Sequence, residues 1–302
     1  MGNGESPSVY REMAKIIARF AEQDEEVPTA IGNLYLNRRS SPTQPVHTAQ
    51  WPCFALVVQG AKSLALGQSV YRYGIGEYLV VSVDLPVASR VTKASKDMPH
   101  LGFGLRIDAE RLQDLLRRIR LPASWMSPST MRGVAVHKAP RELLDATLRL
   151  LRLLERPHDI QAMAPLYEQE ILYRLLMGPF GPTLLTIATT ETPSNKIARA
   201  VRFLRETFRE PLRVGVLARR VGMSVSSLHH HFKAVTATTP IQYQKRLRLH
   251  EARRLLLVER CDVGTAGYRV GYESPSQFSR EYRRLYKVSP LHDLRSSRAR
   301  SS

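Results

Sequence analysis

The stretch from Val214 to Pro290 constrains this 302-residue chain more than any other, because one pattern is written there twice. In the first copy Val214, Leu217, Ala218 and Val221 fall at i, i+3, i+4 and i+7, the spacing of a single buried helical face. Gly222 follows, then Met223, then Ser224, a residue suited to capping a new helix, and then an apolar pair one turn apart, Leu228 and Phe232. The second copy runs Val263, Ala266, Gly267, Val270, Gly271, Tyr272, Ser274, Phe278 and Tyr282. The offset is 49 residues up to the glycine and 50 after it, kept through Pro240 and Pro290. Two copies make a duplicated unit and not a solenoid.

Each copy reads as helix, tight glycine turn, helix: the helix-turn-helix, whose second helix enters the major groove of DNA. The competing reading, two ordinary helical hairpins in a core, is weakened by the repetition. A single helix joins the copies. Thr239 is placed to cap it and Pro240 to open it, with Tyr243, Leu247 and Leu255 on one side, so it is predicted to reach about Glu259. About twenty residues at about 1.5 Å each span roughly 30 Å, close to the roughly 34 Å between successive major grooves.

Charge follows the same division. Residues 194 to 302 hold 23 Lys and Arg against 8 Asp and Glu, whereas residues 1 to 193 hold 22 against 19, so most of the formal net charge of +18 sits with the tandem. A basic excess confined to one domain is the electrostatic footprint of a polyanion, because each neutralised phosphate releases counterions. Cys53 and Cys261 fall in different halves and suggest neither a disulfide framework nor a zinc site. The first residues lack the basic and apolar regions of a signal peptide, and no apolar run has the length of a membrane span. Cytoplasmic residence is expected, with nucleoid association when DNA is bound and no membrane partner.

Upstream, Met13, Ile16, Ile17 and Phe20 mark a short amphipathic helix. From Ile31 to Ile107 short runs alternate between Gly, Pro and Asp breaks: Phe54 to Val58, Lys62 to Leu66, Ser69 to Tyr73, Tyr78 to Val83, Ala88 to Val91 and Leu101 to Ile107. This texture predicts a small antiparallel barrel or sandwich. Three helical segments follow, marked by Leu112 to Ile119, Leu143 to Leu154 and Met163 to Leu175. The second is more apolar than one barrel face needs, which is open to two readings, a cap on the barrel or a surface for a second subunit. Gly178 to Pro182 stops the third helix.

The predicted organisation is an α+β multidomain chain. Residues 1–185 form a ligand-sensing and dimerisation domain, with a barrel over about 31–107 and helices over about 108–178. Residues 186–193 are a small, polar linker, and 194–302 form an all-α DNA-binding domain with helix-turn-helix units at 214–235 and 263–286.

Catalytic chemistry finds little support. A metal-dependent barrel needs closely spaced His ligands with a carboxylate, whereas His47 and His100 are far apart. His229, His230 and His231 are consecutive, and on a helix consecutive residues point about 100° apart, so they do not converge on one ion. No catalytic residue, metal or cofactor is expected. With Leu228 and Phe232 inward, Ser226, His229, His230 and Lys233 face outward, the last toward phosphate. With Phe278 and Tyr282 inward, Ser276, Gln277, Ser279 and Arg280 face outward. The guanidinium fork of Arg280 matches guanine O6 and N7, while Gln277 is open to two roles, reading adenine or closing a capping box with Ser274. Within the barrel Trp51, Cys53, Phe54, Tyr71, Tyr73 and Tyr78 are candidates for a ligand pocket, against the plainer reading that they are core. Cys53 also invites the idea of a thiol that reacts with an electrophile, against that of a buried structural cysteine.

The segments VGMSVSSLHHHFKAVTATTPIQYQKRLRLHEARRLL and VGYESPSQFSREYRRLYKVSP resemble the double helix-turn-helix of the AraC/XylS family of bacterial transcription regulators. That likeness covers about Ile197 to Leu294. The segments YRYGIGEYLVVSVDLPV, PHLGFGLRID and PLYEQEILYRLLMGPFGP are similar to the amino-terminal ligand domain of one AraC-type subgroup. The resemblance implies a cupin-like sensor with dimerising helices, and base contacts at Ser226, His229 and His230 and at Ser276, Gln277 and Arg280. Two departures stand out. Gly264 and Gly267 occupy positions where the family usually has alanines, at roughly 1 kcal/mol each in a helix interior, so the second unit is expected to be the less stable. Lys287 replaces a common glycine after the last helix, which puts a left-handed cap there in question.

The expected function is a sequence-specific DNA-binding regulator, an activator that dimerises, responds to a small-molecule effector and works with RNA polymerase. The alternatives are a cupin-type barrel enzyme with a regulatory DNA-binding tail, and an architectural protein that coats DNA through charge.

Overall fold

A computed structural model describes residues 6–120, 133–188 and 193–298, and the chain divides into two compact units, 1–195 and 196–302. The first unit opens with α1 (Ser6–Phe20), whose Met13, Ile16 and Ile17 are buried. Ten strands follow among the described residues: β1 (Glu26–Pro28), β2 (Leu34–Arg39), β3 (Val46–Gln50), β4 (Cys53–Gln59), β5 (Ala61–Leu66), β6 (Ser69–Gly74), β7 (Glu77–Val81), β8 (Leu85–Lys93), β9 (His100–Arg106) and β10 (Val134–Lys138). They form a six-stranded sheet, β1-β2-β9-β4-β7-β10, and a four-stranded sheet, β3-β8-β5-β6, with antiparallel pairing in both. Hydrogen bonding among the described residues does not close them into one barrel, so the unit is cupin-like with two separate sheets.

Strand alternation divides the larger sheet into two working faces. Leu34, Leu36, Phe54, Leu56, Val58, Tyr78, Val80, Leu101, Phe103 and Leu105 join one core with α1 and the later helices. Their neighbours Asn37, Cys53, Leu79, His100 and Gly102 line a cavity on the other face, as period-two geometry requires. In the smaller sheet the register of β5 against β8 shifts between Ala61 and Lys62, a bulge of the kind that re-aims a side chain.

The helices of this unit are α2 (Ala109–Leu116), α3 (Arg141–Arg152), α4 (Ile160–Leu176) and α5 (Gly181–Ala188). Asp108 caps α2 by accepting from the Glu110 and Arg111 backbone N–H groups. Arg111 pairs with buried Glu168 of α4. In α3 and the turn after it, Leu143, Leu144, Leu148, Leu150, Leu151, Leu153 and Leu154 are all buried, and α3 packs on α1 and α4. The surplus apolarity of this segment is thus absorbed within one chain. The expected linker also needs correction: α5 carries helix through Thr186, Ile187 and Ala188, and residues 189–192 lie outside the described residues.

The second unit is all helical among its described residues: α6 (Pro193–Glu206), α7 (Val214–Arg220), α8 (Val225–Thr236), α9 (Pro240–Leu257), α10 (Val263–Arg269), α11 (Pro275–Tyr286) and α12 (Pro290–Arg298). Helices α7 and α10 have seven residues each, and α8 and α11 twelve each, so the sequence duplication is a duplication of structure. Gly222 (φ 65°) and Gly271 (φ 90°) make the equivalent turns. A side chain at Gly271 would collide with the Arg209 carbonyl oxygen, which explains why glycine is needed there. Thr239 and Gln242 form a capping box on α9, and Pro240 takes its first position.

Candidate functional site

Both recognition helices are fixed by local chemistry at each end. Ser224 accepts from the Ser227 backbone N–H at 3.2 Å to start α8, and Ser274 accepts from the Gln277 N–H at 3.3 Å to start α11. Leu228, Phe232 and Val235 anchor the inner face of α8, and Phe278 and Tyr282 that of α11. The far ends are alike. Ala237 (φ 56°) donates its N–H to the Lys233 carbonyl, and Lys287 (φ 66°) donates to that of Arg283. The left-handed cap at Lys287 therefore forms without glycine. Its backbone cost, roughly 1–2 kcal/mol, is offset by the packing that holds α11 in place.

With those anchors inward, Ser226, His230 and Lys233 are exposed at i, i+4 and i+7 on α8, with His229 half-buried beside them. On α11 the matching stripe is Ser276, Arg280 and Arg283, with Ser279 half-buried. Arg283 was not among the residues anticipated from sequence. Its signal was available, since it stands fifty positions after Lys233 in the duplicated pattern. Gln277 is exposed, and its side chain donates to Glu281 Oε1 at 3.2 Å, whereas a capping box would have its Oε1 accept from the Ser274 backbone N–H. The His230 and His231 rings meet edge to face at 5.1 Å, and no group of three or more His, Cys, Asp or Glu able to hold a metal occurs among the described residues.

The supports of the two helices differ. Helix α7 starts at Arg213, which makes no side-chain cap bond, and the turn after it is held from α6 by Lys196 Nζ on the Gly222 carbonyl at 3.2 Å. Arg220 lies over the Phe203 ring at 4.5 Å. Helix α10 starts instead at Asp262, whose carboxylate accepts from the Thr265 N–H at 3.0 Å. Glu281 of α11 accepts from Lys245 (2.6 Å), Tyr272 (2.7 Å) and Gln277. Burial alone would raise the Glu281 carboxyl, but these hydrogen bonds outweigh it and hold the group below its ordinary value.

Arg248 of α9 joins the halves. Its guanidinium donates to the carbonyls of Phe208 (2.6 Å), Arg209 (3.0 Å), Glu210 (2.9 Å) and Gly271 (2.7 Å), and lies over the Tyr272 ring. One side chain thereby ties the loop that leads into α7 to the turn that precedes α11. Gly267 has a packing reason of its own. A Cβ there would stand 3.0 Å from the Phe278 ring, so glycine lets α11 approach α10 closely.

In the first unit the cavity between the sheets has an inner part of about 40 Å³ and an outer part of about 240 Å³, which share Glu26, Asn37, Gln50, Trp51 and Lys62. Of the six residues anticipated for a ligand pocket, Trp51, Cys53 and Tyr73 line it. Phe54 and Tyr78 do not. They point to the helix side, where Phe54 meets Tyr78 and Phe103 edge to face at 5.6 Å and Tyr78 meets Phe180 at 5.7 Å. Tyr71 is half-buried on β6 and lines neither part. Cys53 is buried and accepts from Gln50 Nε2 at 3.4 Å, and burial pushes its thiol up to about 12. Burial thus favours the protonated thiol, which fits the reading of Cys53 as a buried structural cysteine. Arg39, Lys62 and His100 were missed, because polar residues on a half-buried strand read as solvent-facing until the second sheet covers them.

Residues 30–183 match the family described as AraC-type transcriptional regulator N-terminus, and residues 217–296 match a helix-turn-helix domain. Among curated proteins the chain is similar to the HTH-type transcriptional activator RhaS of Salmonella schwarzengrund, 30% identical over 158 residues, covering 52% of this chain and 56% of the relative. RhaS of Salmonella arizonae is 30% identical over 155 residues, covering 51% and 55%. The chain thus spans about half the length of the curated relatives it matches. Among solved structures it is similar in fold to ToxT of Vibrio cholerae with a bound unsaturated fatty acid, with a TM-score of 0.58 at 10% identity over 87% of this chain and 93% of that one. No helix among the described residues is long and apolar enough to cross a membrane. A match to the family's amino-terminal domain over half the chain, joined to a helix-turn-helix match over the duplicated unit, establishes that this chain belongs to the AraC-type transcriptional regulators.

Proposed function

We propose that the chain is a DNA-binding transcription activator that reads two successive major grooves and answers to a small molecule held in its amino-terminal unit. The observation that carries this reading is the pair of matched outward stripes, Ser226, His230 and Lys233 on α8 and Ser276, Arg280 and Arg283 on α11, each on a helix capped at both ends. Base reading falls to Ser226, His229, His230, Ser276, Ser279 and Arg280, and phosphate contact to Lys233 and Arg283. Gln277 is held by Glu281 and acts by orienting that face. The α9 helix of 18 residues is about 27 Å long, which suits neighbouring grooves.

The reading is of a cytoplasmic regulator and not an enzyme, with RNA polymerase as its partner at promoters. It acts as a homodimer, and the support for this is on α4 and its C-cap, where Leu166 and Tyr173 of the helix and Met177 at the cap are exposed at i, i+7 and i+11. Sedimentation of the full chain tests the dimer, which a monomer at micromolar concentration would refute. Footprinting should give a discrete protected site at physiological salt. Arg280→Ala is expected to relax preference at one base pair by about 1–3 kcal/mol, while Lys233→Ala weakens all sites alike and lowers the salt slope by about one. If both variants bind as the parent does, the groove assignment fails.

A further inference from the structure

The cavity between the two sheets holds more charge than a pocket for a neutral ligand needs. Three cations line it, Arg39, Lys62 and Arg90, against the single carboxylate of Glu26. Arg39 donates to the Arg38 carbonyl at 2.7 Å and Arg90 to Ser63 Oγ at 3.4 Å. Lys62 shares the cavity face of β5 with Leu64, two residues on, and has no salt-bridge partner within 4.0 Å among the described residues. Burial pushes its ammonium down, while at longer range Glu26 favours its charge and Arg39 opposes it. Two further polar atoms are orphaned on the same wall. Asn37 Oδ1 and Nδ1 of His100, a residue 1% exposed, are buried with no hydrogen-bond partner. Burial, with help from the Lys62 and Arg39 charges, drives His100 down to about 3, so its imidazole is neutral and the positive charge of the wall is that of Lys62 and Arg39.

Buried polar atoms are normally satisfied, and a semi-enclosed ammonium without an anion is costly, so the wall is complementary to something that brings both a negative charge and a hydrogen-bonding group. Trp51, which lines both parts of the cavity, supplies an apolar ring, tilted 45° against Tyr35 at 5.3 Å and with the Arg106 guanidinium 5.7 Å from its centroid. The outer volume of about 240 Å³ lies just under the range of about 300–1,000 Å³ for drug-sized ligands, which sets an upper limit on size. Glu26 at the rim disfavours a phosphate dianion relative to a singly charged group. We propose that this cavity binds a small organic carboxylate, its carboxylate on Lys62 and Arg39, its hydroxyl or other polar group on Asn37 and His100, and its carbon skeleton against Trp51. This deepens the sensor reading above and rests on it.

The chain has two tryptophans, so Trp125→Phe leaves Trp51 as the single tryptophan of the full-length protein, excited selectively over the tyrosines. The probes are propionate, lactate and phenylacetate, each beside its primary amide. At least one acid is expected to change Trp51 fluorescence saturably, the matching amide to be bound roughly tenfold or more weakly, and Lys62→Met to lose affinity for the acid by a similar factor. An unchanged melting temperature of the unliganded Lys62→Met protein shows that folding is not the cause. The proposal is overturned if no acid saturates the signal at millimolar concentration, if an amide binds as well as its acid, or if Lys62→Met binds the acid as the parent does. DNA affinity measured in the same solutions separates the two ideas. Lys62-dependent acid binding that leaves DNA affinity unaltered upholds the carboxylate site and refutes the sensor reading, whereas an amide that binds equally and alters DNA affinity does the reverse.

Discussion

The two helix-turn-helix units have one plan and two kinds of adhesive. In the first, an uncapped α7 and an apolar interior of Leu217, Ala218, Leu228 and Phe232 do most of the holding, with Phe232 edge to face on Tyr243 at 5.5 Å. In the second, polar bonds surround a more aromatic interior: Asp262 caps α10, Glu281 gathers Lys245, Tyr272 and Gln277, and Asp293 accepts from Tyr282 at 2.7 Å and pairs with Arg253 at 2.9 Å. Counting helix propensity alone, Gly264 and Gly267 make the second unit the weaker. The contacts work against that deficit, because one glycine admits the Phe278 ring and a cap and an ionic network add stability where propensity subtracts it. The lesson is that a duplicated fold preserves positions while its copies exchange one source of stability for another.

The largest test of this contrast is Arg248. Arg248→Ala removes donors to four carbonyls and is expected to cost about 3 kcal/mol, with hydrogen exchange rising in both units, at α7 and at the turn before α11. Arg248→Lys should not restore it, since an ammonium cannot reproduce the fork. Loosening confined to one unit would show that Arg248 does not couple the two.

Next in size, Gly267→Ala should destabilise by about 1–2 kcal/mol, because the new methyl meets the Phe278 ring and the overpacking outweighs the propensity gain. Gly264→Ala, whose nearest foreign atom is a carboxylate oxygen of Asp262 at 3.3 Å, should stabilise by less than about 1 kcal/mol. Denaturant titration of both variants decides the matter, and equal gains from both would restore the propensity view.

The smallest effect is one of pH. Glu281 titrates lower in the folded chain than its ordinary 4.5, so its contribution is fully present above that value and is lost as pH falls below it, through the folded value. Acid should therefore loosen α11 before α8. Amide exchange followed below pH 4.5 that loosened α8 first would show that the Glu281 network does not hold the second unit.

Legibility in the sequence followed the range of the interactions. Caps at Ser224, Thr239 and Ser274, the glycine turns and the inward pairs Leu228 with Phe232 and Phe278 with Tyr282 are local, and all could be read from spacing. Arg283 was legible through the repeat and overlooked. Of the pocket candidates, Phe54 and Tyr78 follow the plainer core reading, as alternation requires of Phe54, the strand neighbour of Cys53. Strand β10 gave no signal separable from a loop, because its pairing partner β7 lies about fifty residues upstream.

By itself, then, the sequence determined the duplicated helical plan, the basic half and the sheet-rich half, since each depends on periodicity or charge within a short window. Tertiary structure alone decided which strand face became a cavity, that Lys62 and His100 are enclosed in it, that the leucines of α3 are covered within the chain, and that Arg248 couples two turns far apart in sequence. The physical reason is the same in each case. Burial and the pairing of polar groups depend on what arrives from elsewhere in the chain, and no local pattern encodes the neighbour.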